Sequence, residues 1–572
     1  MNRRWEVLDC ASQLKEELSK ELDIPPLIAH LLINRGITNP QDGKKFLTPG
    51  LHQLYNPFLM KDMGKGVERI ISALQKKEHI SIYGDYDADG ITACALLLDF
   101  LRSLGIRSSY YIPHRLTEGY GLNLEAIKKI AAQGTKLLIC VDCGISNHEE
   151  IQLASHLGMD TIVVDHHQVP PLPSPAYAVL DPLQPDCPYP FKGLAGVGVA
   201  FHLVVALRSR LRDSAFWVDS AEPNLLHYLD LVALGTIADV VPLVDINRVL
   251  VTYGLRQLVE SLRPGIIALK EVSGIGKEEI STGHVAFRLA PRLNAGGRMA
   301  IGQMGVELLL ADEYGKARSI AAELDQVNRE RQGIEEKIYR EAKEIIERDS
   351  LLGRKSLVLS SDNWHVGVIG IVASKLAEEF CRPAILIALE GDGGKGSGRS
   401  IIGFHLYEAL QECEEHLLAF GGHKYAAGLK ISRDKIEAFR DVFEETVKRK
   451  WGDTASTPTI FIDAVVDLSE ITLEFLSHLS SFPPYGPANP RPIFSTKGKL
   501  PIQDIRVLGK GTLKFTLSER QKTYEVIGFG MGALGPQLPD AVRIAFHPKM
   551  NDWQGVQRLQ LELRAVETDC EG

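Results

Sequence analysis

At 572 residues the chain is long enough for about three or four domains, and 45% hydrophobic with 24% charged residues is the ordinary balance of a folded globular protein. The opening MNRRWEVLDC carries charge where a signal peptide would be apolar, and no later apolar stretch reaches membrane-spanning length. Secretion and membrane contact are therefore excluded as expectations, and the cytoplasm is the expected compartment. A formal net charge of -9 does not exclude nucleic acid. Carboxylates gathered to hold cations add negative charge at a catalytic centre, while local clusters such as Arg288, Arg292 and Arg298 can still form a basic track.

In chain order, residues 1–60 form a lead segment punctuated by Pro and Gly that is expected to pack on the core. From 61 to 302 a larger unit follows. EHISIYG reads as a short buried strand, ITACALLLDFLRSL as the helix behind it, and DYDADG as the polar loop between them. The rhythm recurs in TKLLICVD with a helix from about Asn147, and in MDTIVVD followed by HHQVPP. Strands alternating with helices imply a parallel sheet, whose ligands bind beyond the carboxyl ends of its strands. LLHYLDLVALGTIADVVPL is a helix running into a further acidic turn.

Residues 303–350 contain a long charged helix, from roughly Glu313 to Arg348, with Ile320, Leu324, Val327, Ile334, Ile338 and Ile345 on one side, the pattern of a bridge between domains. A smaller α/β unit occupies 351–453, with SLVLSS and PAILIAL as strands, VGVIGIVASKLAEEF as a helix, and GDGGKGSGRS and FGGHKYAAG as glycine-rich loops. From 454 to 572 the period changes to two, in TIFIDAVV, TLKFTLS, YEVIGFG, VRIAFH and LQLELRAV, which predicts a small barrel of the OB type. FPPYGPANPRP is a connecting loop, and the chain shows neither an internal repeat nor a low-complexity tail.

Three strand ends deliver Asp85, Asp87 and Asp89, then Asp142, then Asp165 with His166 and His167, and a helix end supplies Asp239. One Asp after a strand is commonly a turn or cap residue. Together, however, hard oxygen donors and imidazole are what Mn²⁺ and Mg²⁺ accept, and the alternation predicts all of them on one sheet edge. Two cations about 3.5 to 4 Å apart would share the carboxylates, activate a bridging water and neutralise a phosphoryl group. The eight cysteines are expected as free thiols, and Cys140 and Cys143 as small buried residues flanking Asp142 rather than a zinc or redox pair.

GDYDADG, VDCGIS, VDHH and TIADVVPL resemble, in order, motifs I to IV of the DHH phosphoesterase superfamily, for which Asp165, His166 and His167 form the signature triplet. The resemblance assigns metal ligation to Asp87, Asp89, Asp142, His166 and Asp239, two Mn²⁺ or Mg²⁺ ions, and a place beside the reacting phosphate to His167. Asp85 and Asp142 join His167 as catalytic residues. LAPRLNAGGRM, the long helix, GSGRS, GGHKYAAG and the barrel-like tail are similar to RecJ-like exonucleases over nearly the whole chain. That likeness implies a DHH catalytic domain, a DHHA1 domain closing over it, and an OB-like tail. It makes Arg292, Asn294, Arg298, Ser397, Arg399 and His423 substrate-binding. The implied activity is 5′ to 3′ digestion of single-stranded DNA, in repair and recombination, with a single-strand binding protein and a helicase as partners.

For the tail, Phe515, Tyr524, Phe529, Phe546 and Trp553 are candidate stacking surfaces and Lys510, Lys514, Arg543 and Arg558 phosphate partners, most of the aromatics being expected in the core. Two rival readings are a DHH phosphodiesterase on short oligonucleotides or cyclic dinucleotides, and a replication scaffold without activity. The tail argues against the first and the complete set of acidic and histidine positions against the second.

Overall fold

The computed structural model describes residues 4–115, 117–276, 279–299, 301–452, 459–553 and 556–567, without the side chains of 552, 553, 556 and 557. Its catalytic unit is built on a five-stranded, wholly parallel sheet in the order Ser108–Tyr111, His79–Gly84, Thr135–Val141, Asp160–Val164, Ala178–Leu180. A parallel sheet is covered on both faces, which is why its strands read as unbroken apolar runs. One face packs on the helices Ala88–Ser103, Gly196–Asp213 and Leu229–Ala238. The other packs on Leu124–Ala132 and His148–His156. Cys140 and Cys143 are buried free thiols in that second layer. Asp85, Asp142, Asp165 and Asp181 each follow directly on the last residue of a strand, so one edge of the sheet collects them.

The bridging helix spans Tyr314–Arg348. Ala317, Ala321 and Leu324 pack on the catalytic core, and Ile338, Ala342, Ile345 and Ile346 on the next unit. Between them the buried stripe turns polar, through Asp325, Asn328, Arg331 and Glu335, a feature that the apolar spacing alone did not anticipate.

The smaller unit holds a five-stranded sheet ordered Ala419–Gly422, Ala426–Ser432, Gly393–Arg399, Ala384–Glu390, Leu357–Ser361, with only the last pair parallel. Here the two glycine-rich stretches depart from the loops expected of them. GGKGSGR is a central strand, and FGGHKYAAG is a hairpin beside it. The glycines serve close packing: a Cβ at Gly396 would stand 2.7 Å from Leu429, and one at Gly398 3.0 Å from Leu406. Their N–H groups belong to a ladder rather than to a phosphate cradle.

The tail forms an eight-stranded curled sheet of OB-like character. The lead segment is divided between cores. Leu18, Ile28, Leu31, Leu32 and Phe46 join Phe475, Phe482, Phe494, Phe515 and Phe546 in the core of the tail, whereas Leu51, Leu54, Tyr55, Phe58 and Met60 pack on the catalytic unit. The strand Arg4–Val7 pairs in parallel with Thr459–Ile462. Beginning and end of the chain therefore fold together. Among the described residues no helix is long and apolar enough to cross a membrane.

Candidate metal centre and the basic pocket beside it

Seven side chains meet at the carboxyl edge of the parallel sheet in three overlapping groups: Asp85 with Asp87 and Asp142; Asp142 with His166 and His167; and Asp89 with His166 and Asp239. Asp142 belongs to two of the groups, as a carboxylate shared between two centres must. His166 Nε2 lies 3.1 Å from Asp142 Oδ1, 3.5 Å from Asp239 Oδ2 and 3.8 Å from Asp89 Oδ2. The structure thus brings Asp85, Asp87, Asp89, Asp142, His166, His167 and Asp239 into one pocket.

Local structure explains each position. Asp87 caps the helix Ala88–Ser103, its Oδ1 accepting from the N–H groups of Asp89 and Gly90. Asp89 is anchored by the neighbouring helix on the same face: Gly196 and Val197, opening the helix Gly196–Asp213, donate to its two oxygens at 2.6 and 2.8 Å. Asp142 adopts φ 59°, a left-handed conformation uncommon outside glycine, and Val240 at φ 61° turns the chain directly after Asp239. Gly196 and Gly235 are small because a Cβ there would meet Asp142 at 2.8 Å and Thr92 at 2.3 Å.

Asp165 has a different task. It accepts from Ile145 N, His166 N and His167 Nδ1, the last at 2.7 Å. Burial would raise its pKa, but these bonds and both imidazoles outweigh that and hold it below the usual range. It orients the two histidines rather than facing the pocket. For His167 burial acts downward, yet the Asp165 contact prevails and holds it up at about 9. Burial, and then His167, push His166 down to about 4, leaving a neutral donor.

The carboxylates disclose what the pocket fits. Burial first and their neighbours second push Asp85 and Asp142 well above the ordinary range, Asp89 to about 7 and Asp239 to about 9. Oδ1 of Asp85 is buried with no hydrogen-bond partner among the described residues. Crowded, desolvated carboxylates with an orphaned oxygen and a neutral imidazole match the donor set of hard divalent cations.

Beside this acidic cluster lies a basic one. Arg298 is held down at about 10 by burial and by the guanidiniums of Arg115, Arg331 and Arg399. Its Nη1 donates to Gly367 O at 3.1 Å, and Arg399 Nη1 to Ser397 Oγ at 3.0 Å. Arg115 stands over the Tyr86 ring at 5.0 Å. Cations crowded together against their mutual repulsion define an anion pocket. Arg298, Ser397 and Arg399 are brought there.

The other three substrate positions are not. Arg292 spends its donors on Asp325, Arg288 O and Val272 O, which clamps the helix Ala290–Arg298 to the long helix. Asn294 accepts from Ala88 N at 2.8 Å and so positions the metal-binding loop. His423 lies exposed at the turn of a hairpin. Sequence reading gave these residues one role because they share motifs, whereas helix geometry points neighbouring residues in different directions. It also missed Arg115, Tyr120, whose hydroxyl lies 3.3 Å from both ring nitrogens of His167, Arg331 and the Gly196 helix end. The signal for the first two was the run IPHRLTEGYG after a strand.

In the tail, Phe515 and Phe546 are core, Phe529 is exposed, and Trp553's side chain lies outside the described residues. Tyr524, Lys514 and Arg558 line a groove of about 820 Å³. Arg543 is engaged by Glu567 and Ser495.

Comparison with known proteins fits this geometry. The chain matches the DHH family, N-terminal domain, over residues 79–236, the DHHA1 domain over 353–449, and the RecJ OB domain over 462–565. It is 36% identical to the single-stranded-DNA-specific exonuclease RecJ of Escherichia coli over 96% of this chain and 97% of that one. To its namesake in Bacillus subtilis it is 37% identical, over 98% and 70%. The crystal structure of RecJ from Thermus thermophilus in complex with Mn²⁺ superposes with a TM-score of 0.84 at 31% identity, over 99% of this chain and 80% of that chain. A second Thermus structure carries Mg²⁺, with a TM-score of 0.78 at 30% identity, over 99% and 78%. With its three domain matches and its near full-length relatives, this chain belongs to the RecJ family of DHH phosphoesterases.

Proposed function

We propose that the chain is a divalent-metal-dependent exonuclease that degrades single-stranded DNA from its 5′ end to 5′-mononucleotides, in the cytoplasm, during DNA repair and recombination. The observation that carries this reading is the adjacency of two opposed pockets, one of crowded carboxylates and one of crowded guanidiniums. Asp87, Asp89, Asp142, His166 and Asp239 would hold two Mn²⁺ or Mg²⁺ ions, with Asp85 completing the acidic wall. When bound, such ions activate water and neutralise charge on the phosphoryl group.

The chain's own residues do the rest. Asp165 keeps His167 protonated, so His167 donates to a non-bridging oxygen of the scissile phosphate. Arg298, Arg399, Ser397 and Arg115 would anchor the terminal phosphate beside the metal centre, which would fix where the strand stops and favour cleavage of single residues. Asn294 holds the Asp87–Asp89 loop in place. The long helix packs on both units, and a strand running between them would be a single one. The tail groove beside Tyr524 and Arg558 accepts the trailing strand, and a single-strand binding protein and a helicase supply it.

Asp142→Ala decides the assignment. The variant is expected to lose on the order of 10³-fold or more of its Mn²⁺-stimulated release of mononucleotides from an end-labelled single strand, with the circular-dichroism spectrum unchanged. Metal-dependent cleavage at the unaltered rate would refute it.

A further inference from the structure

Two turns of the catalytic unit lead to the side chains around His166, and one buried amide joins them. Asn247, in the first turn of the helix Asp245–Glu260, has no exposed surface. Its Nδ2 donates to Gly193 O at 2.6 Å and to Pro242 O at 3.0 Å. The two carbonyls take both amide hydrogens, and Oδ1 is buried with no partner among the described residues. An apolar side chain of the same size would spare the fold that unpaired oxygen. What the amide alone supplies is the pair of bonds.

Both bonds end beside metal-binding side chains. Gly193 stands shortly before the residues that reach the cluster: the backbone of Leu194 is a hydrogen-bond partner of the His166 ring, and the N–H groups of Gly196 and Val197 donate to Asp89. Lys192 Nζ closes the same loop further back, through Pro182 O and Cys187 O, each at 2.8 Å. Pro242 lies on the turn that follows Asp239, which Val240 opens at φ 61°. Asp89, His166 and Asp239 are the three members of one donor group, and Asn247 reaches all three through the backbone. The loop of Asp85 and Asp87 is fixed by other means: Asp87 caps its helix, and Asn294 accepts from Ala88 N.

We infer that Asn247 is a positioning residue for one of the two cations. By holding the Gly193 and Pro242 turns together it sets the spacing of Asp89, His166 and Asp239, while the site built on Asp85, Asp87 and Asp142 stands without it. The inference rests on the two-ion reading above. Bonds that orient metal-binding side chains are typically worth roughly 10- to 100-fold in metal affinity.

Calorimetric titration of the metal-free full chain with Mn²⁺ tests this, beside the Mn²⁺ dependence of mononucleotide release. Asn247→Ala should bind one Mn²⁺ at unaltered affinity and the other roughly 10- to 100-fold more weakly. The Mn²⁺ concentration for half-maximal rate should rise by a like factor, with the rate restored at saturating Mn²⁺ and KM for the strand within about twofold. Leu258→Ala, which opens a cavity in the last turn of the same helix, should lower the melting temperature without moving either Mn²⁺ affinity. Asn247→Ser, with one donor for two carbonyls, should lose affinity at the same single site, and it carries the comparison if Asn247→Ala does not fold. Two undisturbed Mn²⁺ affinities in the Asn247 variants, an equal loss at both sites, or the same selective loss in Leu258→Ala would overturn the inference and leave the two-ion reading standing. An unaltered chain that binds fewer than two Mn²⁺ ions would overturn both.

Discussion

His202 shows how one buried side chain sets an environmental limit. Its Nδ1 bonds Gly198 O and its Nε2 Tyr189 Oη, each at 2.7 Å, and burial pushes its pKa down to about 4. The unfolded chain takes up this proton near pH 6.5 and the folded one only near 4. Within that window the unfolded state binds more protons, so the contribution is complete above about pH 6.5 and is lost as pH falls towards 4. The loss is on the order of 3 kcal/mol. Replacing His202 with Gln, whose amide suits both partners, should flatten the fall in melting temperature between pH 6.5 and 4.5. An unchanged slope would place the effect elsewhere.

The helix Ala290–Arg298 organises the site through three side chains pointing three ways: Arg292 to the long helix, Asn294 to the metal-binding loop, and Arg298 to the anion pocket. It continues a π-helical turn, Val285–Leu289, which resets its phase. The Arg292–Asp325 pair is largely buried, so its members are not interchangeable with alanine one at a time. Asp325→Ala leaves an uncompensated guanidinium and should cost about 3 to 5 kcal/mol in urea unfolding. The paired replacement Arg292→Met with Asp325→Leu should recover most of that stability. Equal losses in the single and double variants would deny that the pair is the clamp.

Arg248 is where the whole molecule is joined. Fully buried, it donates to Phe46 O, Phe482 O and Ser481 O and stacks on Phe46 at 3.9 Å, so one guanidinium links the lead segment, the catalytic unit and the tail. Arg248→Met should take the guanidinium donors from the carbonyls of Phe46 and Ser481, while Phe482 O keeps Asn489 Nδ2 at 2.9 Å. The variant is expected to melt in two steps and to yield a separate catalytic fragment under limited proteolysis. A single transition at the original temperature would mean that apolar packing alone holds the units together.

How far all this was readable depended on the kind of interaction. Strand and helix alternation, the period-two tail and the bridging helix follow from local hydrophobic spacing, which the linear sequence carries in full. The acidic positions were legible for a similar reason: strand ends in a parallel sheet fall on one edge whatever the loops between them do. The directions of Arg292 and Asn294 were not, since two residues along a helix carry a side chain about half a turn round, to the opposite face. Nor were the glycine strands, in which a missing side chain signals a neighbour's bulk rather than a turn. Left to the tertiary structure were the sharing of one core by the chain's beginning and end, the separate role of Asp165, and the meeting of Arg115 with Arg298 and Arg399. Each depends on contacts between residues far apart in the chain, and spacing along the sequence says nothing of distances across the fold.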